Sequence, residues 1–136
     1  MILDASVAVQ IALQDEVGQA LADRLLGEVQ IASPHLIDLE VAQALRRYVQ
    51  WDDMSELRAR QALSDFHDFP LERYPHSFLL ERVWELRHNF TAYDASYVAL
   101  AEAMSAPLWT LDQRMARAAD GLIEVENLST TDLTGS

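Results

Sequence analysis

Short runs of apolar residues alternate along this chain with longer segments in which apolar residues recur at helical spacing. The short runs predict strands and the longer segments predict helices, because the two structures repeat their buried positions with different periods. The predicted strands cover about 1–3, 29–32, 70–74, 107–110 and 123–125. The predicted helices cover about 5–13, 17–26, 34–48, 55–67, 75–86, 93–104 and 112–118. This alternation predicts an α/β fold with a parallel sheet that helices cover on both faces.

The 136 residues predict a single domain over about 1–126, followed by a polar C-terminal tail over about 127–136. Ser33 followed by Pro34 predicts the start of the third helix, with serine as the cap and proline at the first helical position. No apolar run approaches the roughly 20 residues that span a bilayer, and the first residues lack a basic signal-peptide region. We therefore expect a cytoplasmic protein without a membrane segment.

Composition narrows the chemistry that the chain can perform. The absence of cysteine excludes disulfides, thiolate zinc sites and cysteine nucleophiles. All ten basic residues are arginine, so Schiff-base chemistry and the lysine of a phosphate-binding P-loop are also excluded. The net charge of −12 is unusual for a protein that binds nucleic acid, because phosphate binding usually requires a basic surface. Either cations at a site offset this charge, or the protein does not bind nucleic acid; the bulk charge alone favours the second explanation.

Two aspartates directly follow predicted strands. Asp4 closes the first strand and Asp112 follows the fourth, while the hydroxyls of Ser6 and Thr110 flank them as supporting polar groups. In open α/β sheets ligands bind beyond the carboxyl ends of the strands, so these side chains are candidates for a functional site. The alternative interpretation is that each aspartate only caps the helix that follows it, since aspartate is favoured at that position.

Two further carboxylates lie on predicted helices beside apolar positions. Glu40 is in the middle of its helix, where no capping role exists, and a buried carboxylate there needs a cation, a hydrogen-bond network or an arginine. Asp94 begins a helix whose next turn is apolar at Tyr97 and Val98. A capping box with Thr91 is the alternative explanation for Asp94.

Taken together, the four carboxylates predict one metal site. Close like charges repel unless a cation holds them, and hard oxygen ligands suit Mg²⁺ or Mn²⁺. Such ions promote hydrolysis of phosphodiesters and would also offset the acidic balance of the chain locally. Arg46 and Arg47 are interpreted as a solvated helix end, with phosphate contact as the alternative.

The chain resembles the PIN-domain family and, within it, the VapC toxins of toxin–antitoxin pairs. Four segments show the resemblance, in the order of the family: Ile-Leu-Asp-Ala-Ser at 2–6, Leu-Glu-Val at 39–41, Tyr-Asp-Ala-Ser-Tyr-Val-Ala-Leu-Ala at 93–101, and Thr-Leu-Asp at 110–112. The resemblance implies a three-layer PIN-like fold with a central parallel five-stranded sheet, and Mg²⁺- or Mn²⁺-dependent cleavage of RNA. It further implies a homodimer and a cognate VapB-type antitoxin whose tail fills the acidic groove. It assigns the catalytic and metal-binding roles to Asp4, Glu40, Asp94 and Asp112.

Two other functions remain open at this stage. A catalytically silent PIN-like domain that binds a partner protein would keep the fold without cutting RNA, but such a scaffold does not need four mutually repelling carboxylates. A receiver-type phosphoacceptor domain also combines a parallel α/β fold with acidic residues, but it resembles a family that needs a lysine near the acids. The substrate-binding residues stay unassigned, because a lysine-free, acidic chain offers no broad basic track for RNA.

Overall fold

Five short parallel strands form the centre of the fold in the computed structural model, which describes residues 1–25, 27 and 30–128. The sheet order is β3-β2-β1-β4-β5, and every neighbouring pair is parallel. The strands are β1 (Ile2–Leu3), β2 (Ala32–Pro34), β3 (Glu72–Tyr74), β4 (Leu108–Thr110) and β5 (Val125–Asn127). The predicted parallel α/β fold with a five-stranded sheet is therefore confirmed.

Helices surround this sheet and bury its central strands. Successive side chains of a strand point to opposite faces, and both residues of β1 are inaccessible to solvent, so both faces are covered. The α-helices of the described residues are α1 (Ala5–Leu13), α2 (Glu16–Leu25), α3 (Leu36–Gln50), α4 (Glu56–Asp68), α5 (Leu80–Glu85), α6 (Ala92–Met104) and α7 (Gln113–Ala119). None of these helices is long and apolar enough to span a membrane.

The start of the third helix differs from the sequence prediction. Ser33 and Pro34 belong to β2, and α3 begins only at Leu36. The Ser33 hydroxyl donates to the backbone oxygen of Leu3 at 2.7 Å, so it links two buried strands and does not cap a helix. The predicted serine cap with proline at the first helical position is therefore wrong. Val29, the predicted start of the second strand, lies outside the described residues.

Two further boundaries differ from the sequence prediction. The helix predicted over 75–86 is divided into a short 3₁₀ helix (Ser77–Leu79) and α5. The last strand begins two residues later than predicted and includes Asn127, which had been placed in the polar tail. The next residue, Leu128, is buried, and its backbone N–H donates to the Thr110 oxygen at 2.9 Å. The remainder of the predicted tail, 129–136, lies outside the described residues.

The connection order of the strands creates a crevice beside β1. The chain passes from β1 outward through β2 and β3, and it then returns to the other side of β1 to form β4 and β5. The strand order thus reverses between β1 and β4, and such a reversal opens a crevice at the carboxyl ends of the two strands. Asp4 directly follows β1 and Thr110 ends β4, so both predicted site residues lie at this crevice.

Candidate functional site

Asp4 is the buried centre of the crevice and also the N-cap of α1. Its side chain is 4% exposed, and its Oδ1 accepts a hydrogen bond from the backbone N–H of Val7 at 3.3 Å. The hydroxyl of Ser6 donates to the same oxygen, and the hydroxyl of Thr110 donates to Oδ2. The capping interpretation is therefore correct, but it is incomplete, because a cap alone needs neither hydroxyl. Burial raises the pKa of Asp4, and the three hydrogen bonds oppose this rise.

The hydroxyls of Ser6 and Thr110 fix the relation between Asp4 and Asp112. Each hydroxyl also accepts a backbone hydrogen bond at 2.9 Å, Ser6 from the N–H of Leu111 and Thr110 from the N–H of Asp112. Because these N–H groups occupy an acceptor site on each oxygen, the hydroxyl protons are directed at the Asp4 carboxylate. The predicted supporting polar residues therefore connect the end of β1 to the turn that begins α7.

Asp112 closes the other side of the crevice as the N-cap of α7. Its Oδ1 accepts from the backbone N–H groups of Arg114 and Met115, at 2.9 and 3.2 Å. Within the described residues its Oδ2 accepts no hydrogen bond, so one oxygen stays available at the crevice. Asp112 thus both caps a helix and presents a carboxylate oxygen to the crevice, whereas both oxygens of Asp4 accept hydrogen bonds.

Glu40 is half-buried on α3 and is held by a tyrosine of α6. The Tyr97 hydroxyl donates to Glu40 Oε1 at 3.3 Å, and the tyrosine side chain is 1% exposed. Burial raises the pKa of Glu40, as do the negative charges of Asp94 and Asp4, whereas the tyrosine hydrogen bond lowers it. The pKa of Tyr97 is also raised, first by burial and then by the charge of Glu40, so its hydroxyl keeps its proton and acts as a donor.

Asp94 lies in the first turn of α6, and its carboxylate is available at the crevice. The Thr91 hydroxyl accepts from the backbone N–H of Asp94 at 3.1 Å, so this half of the predicted capping box is present. Burial raises the pKa of Asp94, and the negative charge of Asp112 raises it further, whereas a side-chain hydrogen bond with Thr91 lowers it.

Electrostatic repulsion links the four carboxylates in neighbouring pairs, and we call this group of side chains the acidic ring. Asp112 acts on Asp4 and on Asp94, and both of these raise the pKa of Glu40. Each of the four side chains predicted to share a site therefore lies near enough to two of the others for their negative charges to interact. Elements that are distant in the chain contribute them: the ends of β1 and β4, the middle of α3 and the start of α6.

The chemistry of the acidic ring fits a hard divalent cation. Across residues 1–25, 27 and 30–128, no three histidine or acidic side chains are gathered closely enough to form a ready-made metal cluster. Oxygen donors are nevertheless the ligands that such cations prefer, and Glu40, Asp94 and Asp112 each keep an oxygen that accepts no hydrogen bond in this part of the chain. A cation would also relieve the repulsion that raises the carboxyl pKa values.

A groove leads from the acidic ring along the surface between α3 and α6. Its volume is about 480 Å³. Its lining residues are Leu36, Leu39, Glu40, Gln43, Arg47, Thr91, Tyr93 and Asp94. Two members of the acidic ring therefore open directly into this groove, which has room for an extended ligand.

Sequence reasoning missed the part that Tyr97 has in the site. Its position on the apolar side of α6 indicated a core residue, and its ring is indeed buried. The signal that could have identified it is the spacing from Asp94, because residues three apart lie on the same side of a helix. The Tyr97 hydroxyl can therefore reach the same crevice as the Asp94 carboxylate.

The fold and the site define a class: parallel α/β proteins with an acidic crevice where the strand order reverses. Comparisons with known proteins identify the family. The chain belongs to the PIN-domain family, because the family model for the PIN domain matches residues 1–121. Ribonuclease VapC1 of Mycobacterium tuberculosis is 49% identical over 123 residues, which are 89% of this chain and 91% of that protein. Ribonuclease VapC9 of the same species is 43% identical over 116 residues, covering 85% of this chain and 88% of that protein.

A more distant relative and a solved structure agree with this assignment. Ribonuclease VapC12 of Mycobacterium tuberculosis is 36% identical over 126 residues, covering 93% of this chain and 97% of that protein. The crystal structure of PAE2754 from Pyrobaculum aerophilum superposes with a TM-score of 0.66 over 98% of this chain and 91% of that one. At 22% identity, this last likeness concerns the fold alone.

Proposed function

We propose that the protein is a metal-dependent endoribonuclease, the toxin of a VapBC-type toxin–antitoxin pair, and that it hydrolyses RNA phosphodiesters at the acidic ring. The observation that supports this function most directly is the mutual repulsion of Asp4, Glu40, Asp94 and Asp112 at the crevice. A protein that only binds a partner does not need such repulsion at its functional site. The ribonuclease names of its relatives point to the same reaction.

The acidic ring is the proposed cation site, and the cation is Mg²⁺ or Mn²⁺. When bound, such a cation would act as a Lewis acid on the phosphodiester and lower the pKa of a bound water molecule. The residues of the chain keep the ligands in place: Ser6 and Thr110 hold Asp4 by their hydroxyls, and Tyr97 holds Glu40. These donors also favour the ionised carboxylates, which are the forms that bind cations.

The proposed homodimer packs through an apolar patch on the segment that precedes and includes α5. This patch consists of Phe78, Leu80 and Trp84, which are 59%, 56% and 67% exposed. Leu80 and Trp84 are four residues apart and thus lie on one side of the helix. Two large exposed apolar side chains on one side of a helix, with a third close by in the chain, are typical of a protein–protein interface.

The proposed VapB-type antitoxin binds beside the acidic ring. A second groove between α3 and α4 is lined by Leu39, Ala42 and Leu63, and Leu39 also lines the groove of the acidic ring. An antitoxin segment with apolar residues would fill the second groove, and a basic tail would reach the carboxylates. The net charge of −12 favours such a basic partner. The proposed location of toxin, antitoxin and RNA is the cytoplasm.

The test of the proposed nuclease is cleavage of a panel of structured and unstructured RNAs with Mg²⁺, Mn²⁺ or EDTA. We expect cleavage that requires the cation and that Asp94→Asn abolishes. Asp23→Asn is the matched control, because it removes the same charge from α2, outside the acidic ring. If neither cation binding nor cleavage of any RNA is detected, the catalytically silent protein-binding module becomes the better assignment.

A further inference from the structure

Few arginines of this lysine-free chain are available to bind RNA. Arg24, Arg60, Arg73 and Arg82 form ion pairs with acidic side chains. Another three donate to protein oxygens: Arg46 to Gln50, Arg58 to Leu13 and Arg87 to Trp84. In the described part of the chain, the three arginines without such a bond are Arg47, Arg114 and Arg117. These three arginines are therefore the first candidates for the contacts that RNA phosphates require.

Arg47 belongs to a polar stripe that leads out of the acidic ring along α3. The stripe consists of Glu40, Gln43 and Arg47, which line the same groove and are separated by three and four residues. Seven residues correspond to a rise of about 10 Å along a helix. The guanidinium is exposed, and its positive charge lowers the pKa of Glu40. Arg47 is therefore the cation on the α3 side of the acidic ring.

Arg114 occupies the opposite side of the acidic ring, on α7. Its backbone N–H donates to Asp112 Oδ1, so the Arg114 backbone is held directly beside a carboxylate of the acidic ring. Its exposed side chain lies near enough to Asp94 for its charge to lower the pKa of that carboxyl. The two arginines thus lie on either side of the carboxylates, one on α3 and the other on α7.

Tyr93 adds an exposed aromatic ring to the same groove. It is 68% exposed and directly precedes Asp94, whereas Tyr97, one turn later on α6, is buried. An aromatic ring left in water beside a groove that contains charged side chains has a free face on which a nucleobase can stack. Stacking on a protein side chain requires an unpaired base, which single-stranded RNA offers and a duplex does not.

We propose that Arg47 and Arg114 bind phosphates of single-stranded RNA on either side of the acidic ring and that Tyr93 stacks on a base of the same strand. This inference rests on the proposed nuclease function and names the residues that hold the RNA. It also explains how a chain of net charge −12 holds RNA, because two local cations replace a broad basic surface.

The test measures binding of a fluorescent single-stranded oligoribonucleotide in the Asp4→Asn background, which leaves the RNA intact. Dissociation constants are measured over a series of salt concentrations, both with Mg²⁺ and with EDTA. We expect Arg47→Gln and Arg114→Gln each to weaken binding about tenfold. Each should also reduce the slope of log K against log salt by about 0.7, the value for one phosphate contact on a single strand.

Matched controls separate phosphate contact from a general loss of positive charge. Arg46→Gln changes the neighbouring residue of α3, and Arg117→Gln changes the next turn of α7; both should leave the salt slope unchanged. Arg47→Lys should restore most of the slope, because lysine also contacts phosphate as a point charge. If the Arg47 and Arg114 variants behave like these two controls, the proposed phosphate contacts are wrong.

The contribution of Tyr93 is tested with a pair of variants and a duplex. Tyr93→Ala should weaken binding of the single strand at least about fivefold, whereas Tyr93→Phe should keep the affinity, because it keeps the ring. A duplex of the same sequence should bind more weakly and should not respond to Tyr93→Ala. Equal binding of single strand and duplex would overturn this part of the inference.

Cleavage assays in the otherwise wild-type protein separate this inference from the proposed function. Arg47→Gln and Arg114→Gln should raise KM for single-stranded RNA more than they lower kcat. Metal-dependent cleavage by the wild type, with KM and salt slope unchanged in both variants, would overturn the inference and leave the nuclease in place. Failure of the wild type to bind or cleave any RNA would overturn both.

Discussion

The hydroxyl of Tyr97 and the carboxylate of Glu40 join α6 to α3 directly beneath the acidic ring. The donor is buried, and the 3.3 Å hydrogen bond between them crosses 57 residues of sequence. Asp94 is three residues before Tyr97, so one side of α6 presents a proposed ligand and the group that orients another. The position of Glu40 in the crevice therefore depends on α6 as well as on its own helix.

Tyr97→Phe should lower the rate of RNA cleavage about 10- to 100-fold, the usual effect of removing a group that orients a metal ligand. The hydroxyl lowers the pKa of Glu40, so its removal raises that pKa further. Because the ionised carboxylate binds the cation, the acidic limb of the pH–rate profile should move to higher pH. Tyr93→Phe also removes a tyrosine hydroxyl from α6, and it should leave the profile in place.

Asp4→Asn should lower cleavage at least about 100-fold with little loss of stability, although its amide group replaces one acceptor oxygen beside the Ser6 and Thr110 hydroxyls. Asparagine caps a helix as well as aspartate does, and the neutral side chain avoids the cost of burying a charge. Asp4→Ala should also be inactive but should be less stable by about 1 kcal/mol, because it removes the cap of α1. Thermal unfolding beside RNA cleavage checks both variants; wild-type turnover in either one would refute the site.

The metal-free protein should become more stable as the pH falls from neutrality toward about 4, the ordinary range of carboxyl groups. Folding raises the pKa values of Asp4, Glu40 and Asp94, so the folded chain binds protons more tightly than the unfolded chain. Stability contributed in this way is present at low pH and is lost as the pH rises through the raised pKa values.

Urea unfolding in EDTA at several pH values measures this dependence. The pH dependence should be smaller in Asp4→Asn than in the wild type, because one of the three groups no longer titrates. Mg²⁺ should stabilise the wild type most at neutral pH, where the carboxylates are ionised and free to bind it. If Mg²⁺ has no effect on the free energy of unfolding at any pH, the acidic ring is not a cation site.

Trp84→Glu should convert the proposed homodimer into a monomer. The substitution introduces a charge in the middle of the exposed patch around α5, where burial of an unpaired carboxylate is costly. Light scattering during size-exclusion chromatography measures the mass. Leu63→Glu is the control, since it alters an exposed apolar residue of the groove between α3 and α4. Equal masses for the wild type and Trp84→Glu would exclude an interface at this patch.

The order of strands and helices could be predicted from the sequence because apolar periodicity reports burial in each element separately. The adjacency of Asp4 and Asp112 followed from the rule that parallel strands end at one edge of the sheet. The start of α3 could not be found in this way, because Ser33 and Pro34 have the same local signature as a helix start. The buried carbonyl of Leu3 on another strand provides the acceptor for Ser33, and a local pattern contains no information about it.

Local sequence patterns also could not predict the contacts between side chains of different helices. Tyr97 looked like a core residue, and it is one, but its hydroxyl reaches Glu40 on α3. Arg47 had the pattern of a solvated helix end, and only the position of α3 across the groove from α6 places it in the groove with Tyr93. The acidic residues were easier to identify, because a carboxylate beside apolar positions requires an explanation whatever its partners are.

The contact between Ser6 and Thr110 has a consequence for synthesis of the protein on the ribosome. Their hydroxyl oxygens lie 3.4 Å apart although 104 residues separate them in the chain. Proteins are synthesised from the N-terminus, so Asp4 is made long before Thr110, its hydroxyl donor, and before its neighbour Asp112. The proposed site is therefore incomplete until synthesis of the chain is almost finished, because its two sides come from opposite ends of the sequence.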